Sequence, residues 1–246
     1  MRIDVTPDTA RDNQALAALI RETRVQADAL VFLSGGASKM SADDQQQLLA
    51  MFGALAELTK SGRRIAVGDG GTQAGIMQAA GEARLASSVA FPLIGIAPAK
   101  EIAPRGQTPV DPNHSAVIAV DDPALPADQD GWGSETRTMY EVFARLAEGR
   151  PSVTVVANGG GITLAEVEAN VAAGRRMIVI EGSGRAADGL VALLKGTTPQ
   201  DAEVADLRAR AEKVRLARRP ELYTVVPMAT GAAGLHDALR SALSQP

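Results

Sequence analysis

The residues with the clearest chemical use lie in Asn158-Gly159-Gly160-Gly161-Ile162-Thr163-Leu164-Ala165-Glu166, directly after an apolar β-branched run at residues 153–156. A strand that ends in glycines and turns at once into a helix leaves the first helical N–H groups unpaired at the strand end, where they favour an anion. Thr163 can add a hydroxyl to that turn. Glu166, one turn into the helix, can hold ribose hydroxyls or assist glycosidic cleavage. The helix dipole also stabilises its anion there, so capping or surface duty is the competing reading. A second apolar run, residues 177–180, ends in Gly182-Ser183-Gly184 and is followed by Arg185, a phosphate candidate through its charged fork. Two earlier turns follow the same logic: Gly35 and Gly36 with Ser38, and Gly70 and Gly71 with Thr72. Thr72 could instead cap the next helix.

Other side chains carry paired readings too. Arg137 either meets a phosphate or pairs with Glu135 or Glu141 on its own helix. Glu135 positions a ligand or its loop. His114 has an unperturbed pKa near neutrality and either enters the pocket or bonds its own loop. Trp132, between two glycines, either stacks on a base or plugs a glycine-rich loop. Asp188 caps its helix or binds its own loop, and His236 is read as structural. Asp69, Asp121 and Asp122 lack the spacing of a metal cage, so no metal is expected.

Composition removes several classes of function. The chain has 246 residues and a formal net charge of −4, which gives no footprint for nucleic acid. It has no cysteine and two histidines, which excludes thiol chemistry and His-rich zinc sites. The N-terminus shows neither a signal peptide nor a membrane span, so a cytoplasmic protein is expected. Hydrophobic residues make up 46% but aromatics only 3%, with 24 glycines, a balance that suits buried parallel strands covered by small-residue helices.

The elements that hold these residues repeat. Strands are expected at residues 29–33, 65–67, 93–96, 117–120, 153–156, 177–180 and 222–226, with a further short strand or ordered tail at 2–5. Helical spacing appears at 10–24, from 43 to a stop at Gly62, after Thr72, from 134 to 149, after Asp188, at 202–218 and at 235–243. Ser41 or Asp43 could cap the second of these. Residues 99–113, with Pro104, Pro109 and Pro112, read as a loop. Strand and helix alternate with no linker, which predicts one doubly wound, mostly parallel α/β domain over residues 1–246. The charged 202–218 helix is expected as a lid or packing arm, at the domain edge or over a partner.

The motifs also carry a resemblance. Residues 68–77, Gly-Asp-Gly-Gly-Thr-Gln-Ala-Gly-Ile-Met, resemble the glycine motif of the SLOG superfamily, as do 158–163 and 181–188. With Leu33-Ser34-Gly35-Gly36-Ala37, Ile94-Gly95-Ile96-Ala97-Pro98, Asn113-His114-Ser115 and Gly133-Ser134-Glu135-Thr136-Arg137, the set resembles the prokaryotic LSDAT family. That family is related to the cytosolic N-terminal region of melastatin-type TRP channels. The likeness spans residues 29–188 and leaves 189–246 as a C-terminal extension. It implies a modified Rossmann-like fold and a nucleotide or ADP-ribose-like ligand. The more distant LOG phosphoribohydrolases carry Pro-Gly-Gly-x-Gly-Thr-x-x-Glu. Gly159, Gly160, Thr163 and Glu166 match that pattern, while Asn158 and Ile162 replace its proline and third glycine. Arg137 resembles the arginine those enzymes have on the preceding helix.

The function expected is therefore binding or sensing of a nucleotide-derived ligand, with no required cofactor, in a homo-oligomer. One alternative is an N-glycosidic hydrolase using Glu166, although a single carboxylate lacks the paired acid and base that glycoside chemistry often uses. The other is a structural or oligomerisation module without a working pocket.

Overall fold

A computed structural model describes residues 1–36 and 39–244. In chain order the elements are β1 (Arg2–Val5), α1 (Pro7–Arg11), α2 (Asn13–Thr23), β2 (Ala29–Gly35), α3 (Ala42–Lys60), β3 (Ile65–Asp69), α4 (Gly75–Ala86), β4 (Leu93–Pro98) and β5 (Ala116–Val120). Then follow α5 (Thr136–Ala147), β6 (Ser152–Ala157), α6 (Gly161–Ala172), β7 (Arg176–Glu181), α7 (Arg185–Lys195), α8 (Ala202–Lys213), β8 (Tyr223–Pro227) and α9 (Gly231–Leu243). Residues 2–5 are a true strand, in parallel register with β5. The helix expected at 10–24 is broken in two. Asp12 leaves the helical conformation and its carboxylate accepts the N–H groups of Gln14 and Ala15, so it caps α2. Ser41 caps α3 in the same way through Asp44 N–H.

The described strands form one parallel sheet in the order β1-β5-β4-β3-β2-β6-β7-β8. From β2 the chain winds one way to β5, then crosses back and winds the other way from β6. Two packed layers result. Ala29, Val31 and Leu33 of β2 face the layer of α3, α4 and α9. Leu30 and Phe32 face the opposite layer, with α2 and α5. Strands buried on both faces cannot alternate with polar residues, which is why they read as continuous apolar runs. Farther along that second face, α6, α7 and α8 cover Val156, Met177 and Val179.

The charged helix α8 packs on α7 of its own chain. Gly189 permits this, because a Cβ there would stand 3.0 Å from Arg208 N and 3.1 Å from Val204 O. In the turn after β6, Gly159 has φ +92, and a Cβ would fall 2.3 Å from Thr163 Oγ1. Both the left-handed backbone and the close hydroxyl exclude a side chain. Gly159→Ala should therefore lower stability by about 2–4 kcal/mol in urea denaturation. Gly62→Ala, at φ +91 with nothing within 4 Å, should cost only about 1 kcal/mol.

Candidate functional site

Strands β2 and β6 are neighbours, but their outgoing chains leave toward opposite faces of the sheet. At such a switch the two connections part, and a crevice opens beyond the carboxyl ends of the strands. Here it is a cleft of about 520 Å³. Its lining draws on four strand ends: Leu33, Gly35 and Gly36 after β2, Gly70, Thr72 and Met77 after β3, Gly160 to Thr163 with Glu166 after β6, and Arg185 after β7. Thr108, Trp132 and Glu135 close it from the loops.

One end of the cleft is formed by the start of α6 and Arg185. Gly160 has no side chain to cap α6, and Gly160 to Thr163 line the cleft, so the positive end of the helix dipole lies at its wall. Thr163 Oγ1 accepts the Gly160 N–H at 3.3 Å and fixes the turn. A Cβ on Gly160 would lie 3.1 Å from an Arg185 guanidinium nitrogen, which places that charge over the helix start. Arg185 is held there by Glu203 of α8, at 3.0 Å, and Glu203 also holds Lys39 at 3.0 Å. Thr72 has not become a helix cap, since α4 begins at Gly75 behind Ala74. Its Oγ1 is buried and without a partner among the described residues.

Two carboxyl groups form the other end. Glu166 Oε2 accepts the Ser34 hydroxyl, and Glu135 Oε2 accepts the Gly133 N–H at 2.8 Å. Burial pushes the Glu166 carboxyl up to about 7, against the Ser34 hydrogen bond and with help from the Glu135 charge. Burial likewise pushes Glu135 up to about 7, against two backbone hydrogen bonds. Behind Glu166, burial raises the Tyr140 phenol well above its ordinary range. Burial also lowers Arg175, whose guanidinium lies 4.8 Å from the centre of the Phe32 ring. Trp132 and Ile162, 41% and 44% exposed, give the cleft an apolar rim.

Not every residue singled out in the sequence meets here. Gly71 and Gly159 shape their turns without lining the cleft. Ser183 accepts the Asn158 N–H at 2.9 Å and so braces the neighbouring turn. Asp188 takes the N–H groups of Gly182 at 2.7 Å and Gly184 at 3.2 Å, so this turn spends its amides on its own helix. Arg137 is exposed on α5 and outside the lining, while Arg175, which no motif marked, lies behind Glu166. Ser38 lies outside the described residues. Ser34, Thr108 and Met77 were not foreseen in this role. Ser34 could have been found from its place beside Gly35, whereas Thr108 sits in a proline-rich loop with no motif around it.

His114 is sealed below the second turn. Its Nε2 lies 2.7 Å from Asp69 Oδ1 and its Nδ1 3.2 Å from Asp111 Oδ1. Burial disfavours the imidazolium, but the Asp69 charge and the hydrogen bonds to both aspartates outweigh it and push the pKa up to about 9. The group is a buried cation that ties β3 to the 99–113 loop. A raised folded pKa gives stability that is full below about 6.5 and lost as pH rises through about 9. The stability gap between wild type and His114→Gln in urea titrations should therefore narrow from pH 7 to pH 10.

The glutamates carry the opposite sign. Their raised pKa means that ionisation above about 7 costs the folded state, a cost absent below about 4.5 where both states are protonated. Glu166→Gln should stabilise the protein by about 2–3 kcal/mol at pH 8, and the gain should vanish near pH 4. Thermal melts at the two pH values check this.

Comparison with known proteins fits this architecture. The family model described as SLOG in TRPM, prokaryote, matches residues 28–233, which include every strand end that lines the cleft. A comparison with curated proteins found no match. No helix among the described residues is long and apolar enough to cross a membrane. The match covers most of the chain, and the parallel sheet is the Rossmann-like fold expected of such a domain, so the chain belongs to the prokaryotic LSDAT family of the SLOG superfamily.

Proposed function

We propose that the cleft binds a nucleotide or nucleotide-derived ligand such as ADP-ribose. The observation that carries this reading is the position of the Arg185 guanidinium over the uncapped start of α6. Helix-start amides and a guanidinium fork are two independent anion-binding devices, and they act here on one point. The Thr72 hydroxyl, unpartnered among the described residues, and the turns at Gly35, Gly36 and Gly70 surround the same space. Glu166 and Glu135 offer oxygens to ribose hydroxyls, and Trp132 offers an apolar face to a base. A cleft of about 520 Å³ lies within the usual range for small-molecule sites.

Isothermal calorimetry with 5′-AMP, ADP, ADP-ribose and ribose 5-phosphate tests the proposal. At least one should bind with millimolar affinity or better. Arg185→Ala should weaken that binding by about 10- to 100-fold, the loss of a charge-assisted phosphate contact worth roughly 1.4–2.8 kcal/mol. Arg137→Ala, outside the cleft, should change it by less than about 2-fold, as expected of a side chain with no ligand contact. No heat with any of the four ligands would end this reading.

A further inference from the structure

The segment between β5 and α5 forms part of the cleft rim without being packed into either layer. Residues 123–134 are neither helix nor strand. Among the described residues, none from 121 to 138 belongs to an apolar core cluster. Trp132 and Glu135 line the cleft, while Leu125, Ala127 and Ser134 line a second cavity of about 230 Å³. The segment therefore borders open space at both places.

Two consecutive side chains just beyond β4 hold its backbone instead. Lys100 Nζ donates to the carbonyls of Pro126 at 3.2 Å, Ala127 at 2.8 Å and Gln129. Glu101 Oε1 accepts the Gly131 N–H at 2.6 Å. A Cβ on Gly131 would stand 3.1 Å from Glu101 Cγ, so the glycine lets the carboxylate come this close. Among the described residues, no other hydrogen bond reaches residues 123–134 from outside the stretch 121–136. A cation takes the carbonyls and an anion takes the N–H, so each bond is charge-assisted.

We propose, resting on the nucleotide reading of the cleft, that residues 123–135 form a lid whose Trp132 covers the base of a bound nucleotide, and that Lys100 and Glu101 are the positioning residues that clamp it shut. A segment with no apolar anchor opens at low cost, because only polar bonds part and water replaces them. A ligand that stacks on Trp132 binds the closed state better and shifts the lid toward it.

Glu135 makes this grip sensitive to pH. Its Oε2 accepts the Gly133 N–H at 2.8 Å, at the far end of the lid. Burial pushes its carboxyl up to about 7, against its backbone hydrogen bonds and with a further push from the Glu101 charge. The other charged groups near it are Glu166 on α6, which feels the Glu135 charge, and Asp130, which accepts the Trp132 N–H at 3.1 Å within the lid. Arg137 on α5 is exposed. Opening the lid wets Glu135 and returns it toward its ordinary 4.5. Closure is therefore strongest below about 4.5, is lost as pH rises toward about 7, and changes no further once both states are ionised.

Amide hydrogen exchange on the free protein tests the clamp. In the wild type, the amides of Gly131 to Ser134 should exchange by local opening, at rates that dilute urea leaves unchanged, whereas those of β6 should follow urea. Corrected for the intrinsic rise of exchange with pH, their protection should fall by about 10-fold or more from pH 5 to pH 7, and Glu135→Gln should abolish that fall. At pH 5, where Glu135 is neutral under the closed lid, Lys100→Met and Glu101→Ala should each lower the protection by about 10-fold, as charge-assisted bonds are lost. ADP-ribose, with binding followed by calorimetry on the same samples, should raise the protection of these amides by about 10-fold or more. Ribose 5-phosphate, which has no base to cover, should raise it by less than about 2-fold. Amides as protected as those of β6, protection that is flat with pH, or indifference to both clamp substitutions overturns the lid. ADP-ribose that binds but leaves the exchange unchanged overturns the covering of the base and leaves the binding function standing. No heat with any nucleotide ends the reading on which the lid's use rests, while the exchange of the free protein still decides the clamp.

Discussion

The parting of the chain at β2 and β6 is the constraint on which the rest depends. These strands pair over six residues, from Leu30 with Ser152 to Gly35 with Ala157. Their successors must nonetheless go to opposite layers, because α3 covers one face and α6 the other. Backbone from the two strand ends therefore diverges immediately beyond the last ladder bonds. The space cannot be filled by large side chains without forcing the turns apart, so both turns are built of glycine. The opening for a ligand is thus a by-product of winding direction, and the chemistry is supplied by whatever residues the two turns present.

Charge is distributed in this molecule with a clear asymmetry. Below the second turn, a buried histidine is enclosed by two aspartates, and the arrangement is compensated and stabilising near neutrality. In the cleft, two buried glutamates have no such compensation among the described residues. A folded chain sheds uncompensated buried charge unless the site requires it, since removing it would raise stability. The cleft therefore holds a local cost that the surrounding apolar layers offset. Arg185 shows an intermediate solution, a cation kept in place by Glu203 yet turned toward the helix start.

Much of this could be read in the sequence, for physical reasons. Glycines after apolar runs mark turns that only a parallel sheet would place along one edge, and Gly35, Gly36, Gly70, Gly160 and Gly161 do line one cleft. Glu166 and Arg185 were visible because each stands at a fixed, short distance from its turn. What escaped was set by contacts between distant segments. Nothing near His114 in sequence announces Asp69, and its loop position gave no sign that it would be walled in. Glu135 could be marked from its motif as positioning a ligand or its loop, but nothing in the sequence announced that its charge would bear on Glu166. Arg137 had the right helix but the wrong side of it. Its side chain points outward, and the guanidinium behind Glu166 comes instead from Arg175, at the end of a different connection. Of the two readings open at Thr72, capping falls away because Gln73 and Ala74 intervene before α4 begins, and a cap was missed at Asp12, where one carboxylate divides a continuous helical pattern.

The tryptophan has an optical consequence. The chain contains one, Trp132, and its indole is half exposed at the rim of the cleft rather than packed in the core. Indole emission from this protein therefore arises at a single place, a loop position between two glycines that shares the cleft rim with Glu135 and the solvent. Its colour and intensity report the wetting of that rim and are nearly blind to the packing of the β-sheet. A denaturation curve followed by this emission would trace the loop, whereas circular dichroism would trace the helices, and any separation between the two curves would measure how independently the rim of the cleft lets go.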